Sequence, residues 1–181
     1  MDGAGTYIPV LNSIELDVDA GDSVAIIGPS GSGKSTLLSL LAGLDVPNSG
    51  FIEFNNAPFS VLSEDQRSQI RKGQIGFVFQ SFQLLQGLTA LENVMLPLEL
   101  AGTSVLEAEA RANTWLDRVG LSERANHHPR MLSGGEQQRT AVARAFVSEP
   151  LLLFADEPTG NLDRTTGDKL SQLLFDLNKQ T

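Results

Sequence analysis

Gly28-Pro29-Ser30-Gly31-Ser32-Gly33-Lys34-Ser35-Thr36 is the stretch that decides the fold. It fits the pattern Gly-x-x-x-x-Gly-Lys-Ser, whose glycines let successive backbone N–H groups converge on a polyphosphate. The apolar residues 23–27 predict a buried strand before it, and residues 37–42 predict a helix after it, whose N-terminus adds further donors. Lys34 is then predicted to reach the β- and γ-phosphates, and the Ser35 hydroxyl to hold Mg²⁺. The alternative is a glycine-rich turn that precedes a lysine by chance, and the flanking strand and helix argue against it.

Composition sets limits on the class of protein. The 181 residues can bury a sizeable core, and with 41% hydrophobic and 19% charged residues they predict one ordinary globular domain. A formal net charge of -9 argues against nucleic acid as the main partner, since a phosphate backbone requires a basic face. Cysteine is absent, which excludes disulfides and thiolate metal sites. No basic leader precedes an apolar segment and no apolar run reaches the ~18 residues of a membrane span, so we expect a cytoplasmic location.

Periodicity predicts an α/β chain with a helical interruption. Strands are predicted at 14–18, 51–54 and 75–79, the last with Gln80 at its carboxyl end, and a helix at 63–72. Residues 81–129 read as successive helices beginning near Thr89 and Ser104, both of which start capping-box patterns. Three apolar residues of the second helix, Trp115, Leu116 and Val119, share one face and are predicted to pack in the core. A helix at 134–147, a strand at 151–155 and a helix at 165–178 complete the prediction.

Two acidic residues follow the predicted strand at 151–155. In an open α/β sheet, ligands bind at the carboxyl edge, and this strand delivers Asp156 and Glu157 there. Asp156 could anchor Mg²⁺, while Glu157 could orient or deprotonate an attacking water. The alternative is a pair of acids that cap the turn before Pro158, and a phosphate loop in the same chain makes this the weaker interpretation.

A second candidate anion site lies at Ser133-Gly134-Gly135-Glu136. Two glycines at the start of a helix cost stability and expose backbone N–H groups, which favours close approach of a ligand. The Ser133–Glu136 spacing is also a plain capping box, and by itself it says little. Since the chain already has one phosphate loop, the second site is best explained if it serves the nucleotide of another subunit.

These motifs together resemble the ABC-type ATPases over nearly the whole chain. Residues 28–35 look like Walker A, Gln80 like the Q-loop, 132–138 like the signature sequence, 151–157 like Walker B and 160–163 like the D-loop. Residues 88–94 and 155–163 are similar to the lipoprotein-releasing, macrolide-exporting and cell-division branch. The resemblance implies a P-loop core with a mostly parallel sheet and flanking helices, a small antiparallel β subdomain, and an inserted all-helical subdomain. We expect a single nucleotide-binding domain, with residues 1–80 and 133–181 as the core and 81–132 as the helical part.

The resemblance also implies roles for individual residues. Glu157 would be the catalytic base, Gln80 would touch Mg²⁺ and sense a membrane partner, and Asp163 would help pair two sites. Two ATP molecules would be held between the head-to-tail copies of a homodimer, which drives an integral membrane subunit and lies on the inner face of the membrane through that partner. The residues implied for ATP and Mg²⁺ are Gly28, Pro29, Ser30, Gly31, Ser32, Gly33, Lys34, Ser35, Thr36, Gln80, Ser133, Gly134, Gly135 and Asp156.

Two departures from the family pattern qualify this expectation. Tyr7 is the available aromatic residue for stacking on adenine, and the alternative is an N-terminal core or edge residue. The family's switch histidine lies beyond Thr181, so we expect a fragment that binds ATP but hydrolyses it poorly. His127 and His128 precede the signature sequence and are expected to be turn or surface residues.

Other functions remain open from the sequence. The leading interpretation is the ATPase of an exporter or lipoprotein extractor. One alternative is a related ATPase that regulates cell-wall enzymes through a membrane partner. A soluble DNA-repair or translation ATPase is disfavoured by the net acidity and by the missing coiled coil and second cassette.

Overall fold

The computed structural model describes residues 9–179, which divide into two compact units, 9–62 and 63–179. The first unit holds helix α1 (Lys34–Leu41) and a two-stranded antiparallel sheet of β1 (Glu53–Phe54) and β2 (Ala57–Pro58). The second holds the helices α2 (Glu64–Gln74), α3 (Ala90–Leu100), α4 (Val105–Arg118), α5 (Gly134–Phe146) and α6 (Arg164–Asn178), with the strands β3 (Ile75–Phe79) and β4 (Leu152–Asp156). The predicted partition into core and helical subdomains stays a prediction.

The predicted strands before the phosphate loop are wrong as secondary structure. Residues 14–18 and 23–27 are not paired as strands, and Ile27 is 92% exposed although its apolar run predicted burial. A strand requires hydrogen bonds to a neighbouring strand, and within the described part of the first unit the paired strands are β1 and β2. The predicted strand at 51–54 is correspondingly shortened to β1.

The second unit is built on two parallel strands in register. β3 pairs with β4 from Ile75 opposite Leu152 to Phe79 opposite Asp156, so both strands end at the same edge. Gly76 permits a close approach, because a Cβ there would lie 2.6 Å from the carbonyl oxygen of Ala145 on α5. A continuous apolar run such as 151–155 is typical of a strand covered on both faces, but Leu151 is 67% exposed and only Phe154 of β4 is buried.

Helices α3, α4 and α5 form the main hydrophobic core of this unit. Trp115, Leu116 and Val119 are all buried in it, as their spacing predicted. The Trp115 ring stacks on Phe146 of α5, with ring centroids 5.5 Å apart, which fixes α4 against the C-terminal part of α5. The guanidinium of Arg118 also lies over the indole ring, 4.7 Å from its centroid.

Serine and threonine side chains define where these helices begin. Ser63, Thr89 and Ser133 form complete capping boxes with Gln66, Glu92 and Glu136, as the sequence spacing predicted. Each box satisfies backbone donors at both the cap and the third helical residue, and it therefore sets the starting residue of its helix.

Candidate active site

The phosphate loop of the first unit turns through glycines that no other residue could replace without strain. Gly31 and Gly33 have φ of 80° and 91°, in the left-handed region. A Cβ on Gly33 would also lie 2.9 Å from the side chain of Leu11 and 3.2 Å from the carbonyl oxygen of Val10. Gly33 thus lets the chain turn into α1 while it passes close to its own N-terminal segment.

Lys34 closes this loop from the inside. Its ammonium donates to the carbonyl oxygens of Gly28 and Pro29, both at 3.0 Å, so the charge lies over the loop. α1 begins at the same residue and directs its first N–H groups toward the loop. The result is a cluster of backbone donors with one cation, which suits a polyphosphate.

The carboxyl ends of β3 and β4 bring three predicted site residues of the second unit to one edge. Gln80 follows Phe79, and Asp156 lies opposite Phe79 in the strand register, with Glu157 next in sequence. Asp156 is half-buried, whereas Gln80 and Glu157 are exposed. Glu157 adopts a φ of 45°, a left-handed conformation that costs a residue with a side chain about 1 kcal/mol or more. The carboxylate is therefore held in a strained turn at the strand end.

The segment after this turn lies against Gln80. The side-chain amide of Asn161 donates to the Gln80 carbonyl oxygen at 2.8 Å. A Cβ on Gly160 would lie 2.6 Å from Nε2 of Gln80, so glycine is required for the carboxamide to lie there. Two residues on, the Asp163 carboxylate accepts from the Thr166 hydroxyl at 2.6 Å and from the Thr166 N–H at 3.1 Å, so that it caps α6, and these bonds lower the pKa of its carboxyl.

The capping box at the start of α5 produces the largest pKa shift among the residues of the candidate site. Glu136 accepts from the Ser133 backbone N–H at 2.8 Å and from its hydroxyl at 2.7 Å, which lowers the pKa of the carboxyl to about 2. Arg124 adds an ion pair at 3.0 Å. These bonds fix Ser133, the predicted signature serine, at an exposed position at the helix start.

Different structural constraints apply to Gly134 and Gly135, the two glycines of the predicted signature sequence. A Cβ on Gly135 would lie 2.8 Å from the Thr166 methyl group, so close packing of α5 on α6 requires glycine there. A Cβ on Gly134 would meet Phe82 only at 3.7 Å, an ordinary contact. Packing therefore explains Gly135 and leaves Gly134 available for a ligand-based reason.

The remaining predicted residues lie elsewhere. Tyr7 falls outside the described residues. His127 and His128 lie in the connection between the 3₁₀ turns Ser122–Arg124 and Pro129–Met131, and both are half-buried, not fully on the surface. Nδ1 of His128 is buried and has no hydrogen-bond partner among residues 9–179.

Sequence reasoning missed two residues that organise the edge of the sheet. Gln138 is fully buried and donates to the carbonyl oxygens of Phe79 and Pro158. Arg144 donates to the carbonyl oxygens of Gln83 at 2.6 Å and Phe82 at 2.9 Å, and burial lowers the pKa of its guanidinium. The helical spacing from Gln138 to Ala141, Val142 and Ala145 placed this glutamine on the buried face of α5, and that signal could have identified it.

The described residues hold neither a carboxylate-rich metal cluster nor a membrane-spanning helix. Residues 9–179 contain no cluster of three or more His, Cys, Asp or Glu side chains placed to hold a metal ion. In the same part of the chain, every helix is too short or too polar to span a bilayer.

Comparisons with known proteins identify the family to which the chain is similar. The family model described as ABC transporter matches residues 11–160. The chain is 52% identical over 179 residues to a lipoprotein-releasing system ATP-binding protein LolD of Legionella pneumophila (strain Lens), covering 99% of this chain and 78% of that protein. It is 51% identical to an uncharacterized ABC transporter ATP-binding protein YbbA of Escherichia coli (strain K12), covering 98% of this chain and 78% of the relative.

A solved structure shares the fold at a TM-score of 0.86 and 44% identity, over 94% of this chain and 75% of the other. It is a dimeric post-hydrolysis state of the ATP-binding cassette MJ0796 bound to ADP and phosphate. With the phosphate loop, the acidic strand end and the capped signature helix in the family's order, the chain belongs to the ABC transporter family, as an ATP-binding and ATP-hydrolysing cassette.

Proposed function

We propose that this cassette supplies ATP-driven force to a separate membrane subunit of an exporter or lipoprotein-releasing complex, from the cytoplasmic face of the membrane. The names of the relatives LolD and YbbA support an ATP-binding subunit, and the first of them a lipoprotein-releasing system. The observation that carries the catalytic part is the parallel register of β3 and β4, which brings Gln80, Asp156 and Glu157 to one edge.

In this proposal the phosphate loop binds the nucleotide. Lys34 exchanges its contacts with the carbonyl oxygens of Gly28 and Pro29 for phosphate oxygens. The N–H groups at the start of α1 bind the same anion. Because these donors and the ammonium are fixed before binding, little ordering is required when the triphosphate arrives.

The donor set also fits Mg²⁺, a hard cation that takes oxygen ligands and bridges phosphate oxygens in phosphoryl transfer. Within the second unit, Gln80 offers a carboxamide oxygen and Asp156 a carboxylate at one edge of the sheet. The Ser35 hydroxyl stays a ligand proposed from the sequence motif alone. One carboxylate among neutral oxygens suits an ion that retains waters and phosphate ligands. Glu157, exposed and outside this ligand set, accepts the proton of the attacking water.

Ser133 and Gly134 are proposed to close over the γ-phosphate of a second copy of the chain. Ser133 is already held at the helix start by its capping box, and Gly134 has no steric reason to be glycine. The dimeric, ADP- and phosphate-bound state of the similar cassette supports such an assembly. Two triphosphates between two copies would join them, and hydrolysis would release them.

A Glu157→Gln variant tests this proposal, since it keeps the size of the side chain and removes the base. We expect it to bind ATP and to accumulate as a dimer measured by light scattering, with hydrolysis lowered by about 100-fold or more. Adding Ser133→Arg should return the ATP-bound protein to a monomer. A Glu157→Gln protein that binds ATP and stays monomeric would contradict the paired site.

Co-purification of the adjacent membrane subunit tests the transport part. A partner with a large periplasmic substrate-handling domain is the expected result. A partner that instead bridges the cassette to a cell-wall hydrolase would favour the regulatory alternative.

A further inference from the structure

Gln138 links helix α5 to the backbone at the carboxyl ends of both β3 and β4. It lies on α5 and is 0% exposed. Its single Nε2 group donates to the carbonyl oxygen of Phe79 at 3.3 Å and to that of Pro158 at 2.6 Å. Phe79 immediately precedes Gln80, and Pro158 immediately follows Glu157. One side chain therefore holds the backbone beside both residues.

Core packing alone does not explain a glutamine at this position. Its Oε1 is buried and has no hydrogen-bond partner among the described residues, so the side chain carries a desolvation cost that an apolar residue would avoid. What an apolar side chain could not do is satisfy the two carbonyl oxygens at the strand ends. The bonds made by Nε2 are thus the structural reason for this residue.

α5 holds the segment after β3 at a second point. Arg144, nearly two turns beyond Gln138, donates to the carbonyl oxygens of Phe82 and Gln83. Both of these residues have positive φ, at 61° and 49°, so the guanidinium stabilises a strained turn. A displacement of α5 would therefore move the Gln80 segment at both places.

The other end of this linkage is the start of α5. Ser133 lies only five residues before Gln138, and the capping box makes it part of the same rigid helix. A force applied at Ser133 would reach Phe79 and Pro158 through slightly more than one helical turn.

We propose that Gln138 is a positioning residue that couples the two composite sites of the dimer. It transmits engagement of the signature helix with the partner's nucleotide to Gln80 and Glu157 of its own chain. The inference rests on the proposed function, in which Ser133 contacts the second copy's triphosphate. Its consequence is that Gln138 governs the rate of the chemical step more than the affinity for ATP.

Gln138→Met tests this role, because it retains the length of the side chain and removes the donor. We expect kcat for ATP hydrolysis to fall about tenfold, the effect of one hydrogen bond, with KM within about twofold. The matched control is Thr140→Val on the same helix, since Thr140 is also buried and its hydroxyl donates only to Glu136 of α5 itself at 2.9 Å. This control should leave kcat unchanged within about twofold.

A second variant, Gln138→Asn, retains the amide but is one methylene too short to reach both carbonyl oxygens, and it should lower kcat several-fold. An unchanged kcat in either folded Gln138 variant would overturn the proposal, and so would an equal loss in Thr140→Val. ATP-dependent dimer formation should persist when Gln138→Met is combined with Glu157→Gln. If Glu157→Gln alone fails to dimerise, the paired-site function has failed, and the kcat comparison still decides the role of Gln138.

Discussion

At the scale of single residues, the position of Lys34 gives a direct account of nucleotide binding. Its ammonium lies between two loop carbonyls, so removing it leaves the phosphate loop without a cation. We expect Lys34→Ala to weaken ATP binding about 10- to 100-fold, the worth of a charge-assisted hydrogen bond. Equilibrium binding of a fluorescent ATP analogue measures this.

Lys72→Ala is the matched control, because it removes the same charge from the exposed last turn of α2. An equal loss of affinity in both variants would mean that the net charge of the protein, not the position of Lys34, determines binding.

Asn93 shows how a single buried side chain shapes the loop after Gln80. It is 0% exposed, accepts from Leu85 N–H at 2.8 Å and donates to the carbonyl oxygens of Leu85, Leu88 and Thr89. Asn93→Ala leaves those backbone groups unsatisfied, and we expect the free energy of unfolding to fall by about 3 kcal/mol. Urea denaturation measures the change.

Asn113→Ala provides the comparison for Asn93. The Asn113 amide donates only to Glu109 of its own helix, at 3.0 Å, on the exposed side of α4. It should change stability by about 0.5 kcal/mol or less. Similar losses in the two variants would contradict the role assigned to Asn93.

At the scale of elements, the start of α5 should respond to acid. The pKa of Glu136 is lowered from 4.5 to about 2 by the Ser133 N–H and hydroxyl and by Arg124. A carboxyl whose pKa is lower in the folded state stabilises the protein above its unfolded pKa. That contribution is lost as the pH falls from about 4.5 through about 2.

Glu136→Gln removes this titration. We expect its stability deficit relative to the unsubstituted chain to be largest above pH 4.5 and to shrink toward pH 2, as followed by chemical denaturation at each pH. Glu99→Gln, at an exposed position on α3, controls for the loss of one carboxylate. A deficit for Glu136→Gln that stays constant with pH would contradict the assigned hydrogen bonds.

The sequence predicted elements well where their causes are local. The starts of α2, α3 and α5 were predicted because Ser63, Thr89 and Ser133 bond to residues three positions ahead. The strands predicted at residues 14–18 and 23–27 did not form, because a strand depends on a distant partner that sequence periodicity does not identify.

The same distinction applies to the candidate site. Gln80, Asp156 and Glu157 could be placed at one edge because parallel strands deliver their carboxyl ends together. The bridge from Gln138 to Phe79 and Pro158 spans 59 and 20 residues of sequence, and no local pattern identifies its partners.

At the scale of the whole molecule, the account requires two copies of the chain. In the proposed function, the phosphate loop binds the triphosphate and Glu157 accepts the proton of the attacking water, while Ser133 acts on the nucleotide of the other copy. In a head-to-tail pair, each site takes groups from both copies. Two copies with different defects can therefore form one intact site, which other arrangements do not allow.

Mixing Lys34→Ala chains with Ser133→Arg chains tests this requirement most directly. Each variant alone should be inactive, because no pair of its own copies contains a site with both groups. A mixed pair has one intact site, and we predict recovery of up to about a quarter of the unsubstituted hydrolysis rate in an equal mixture, measured by phosphate release. Mixtures that form dimers but remain as inactive as the separate variants would contradict the composite site.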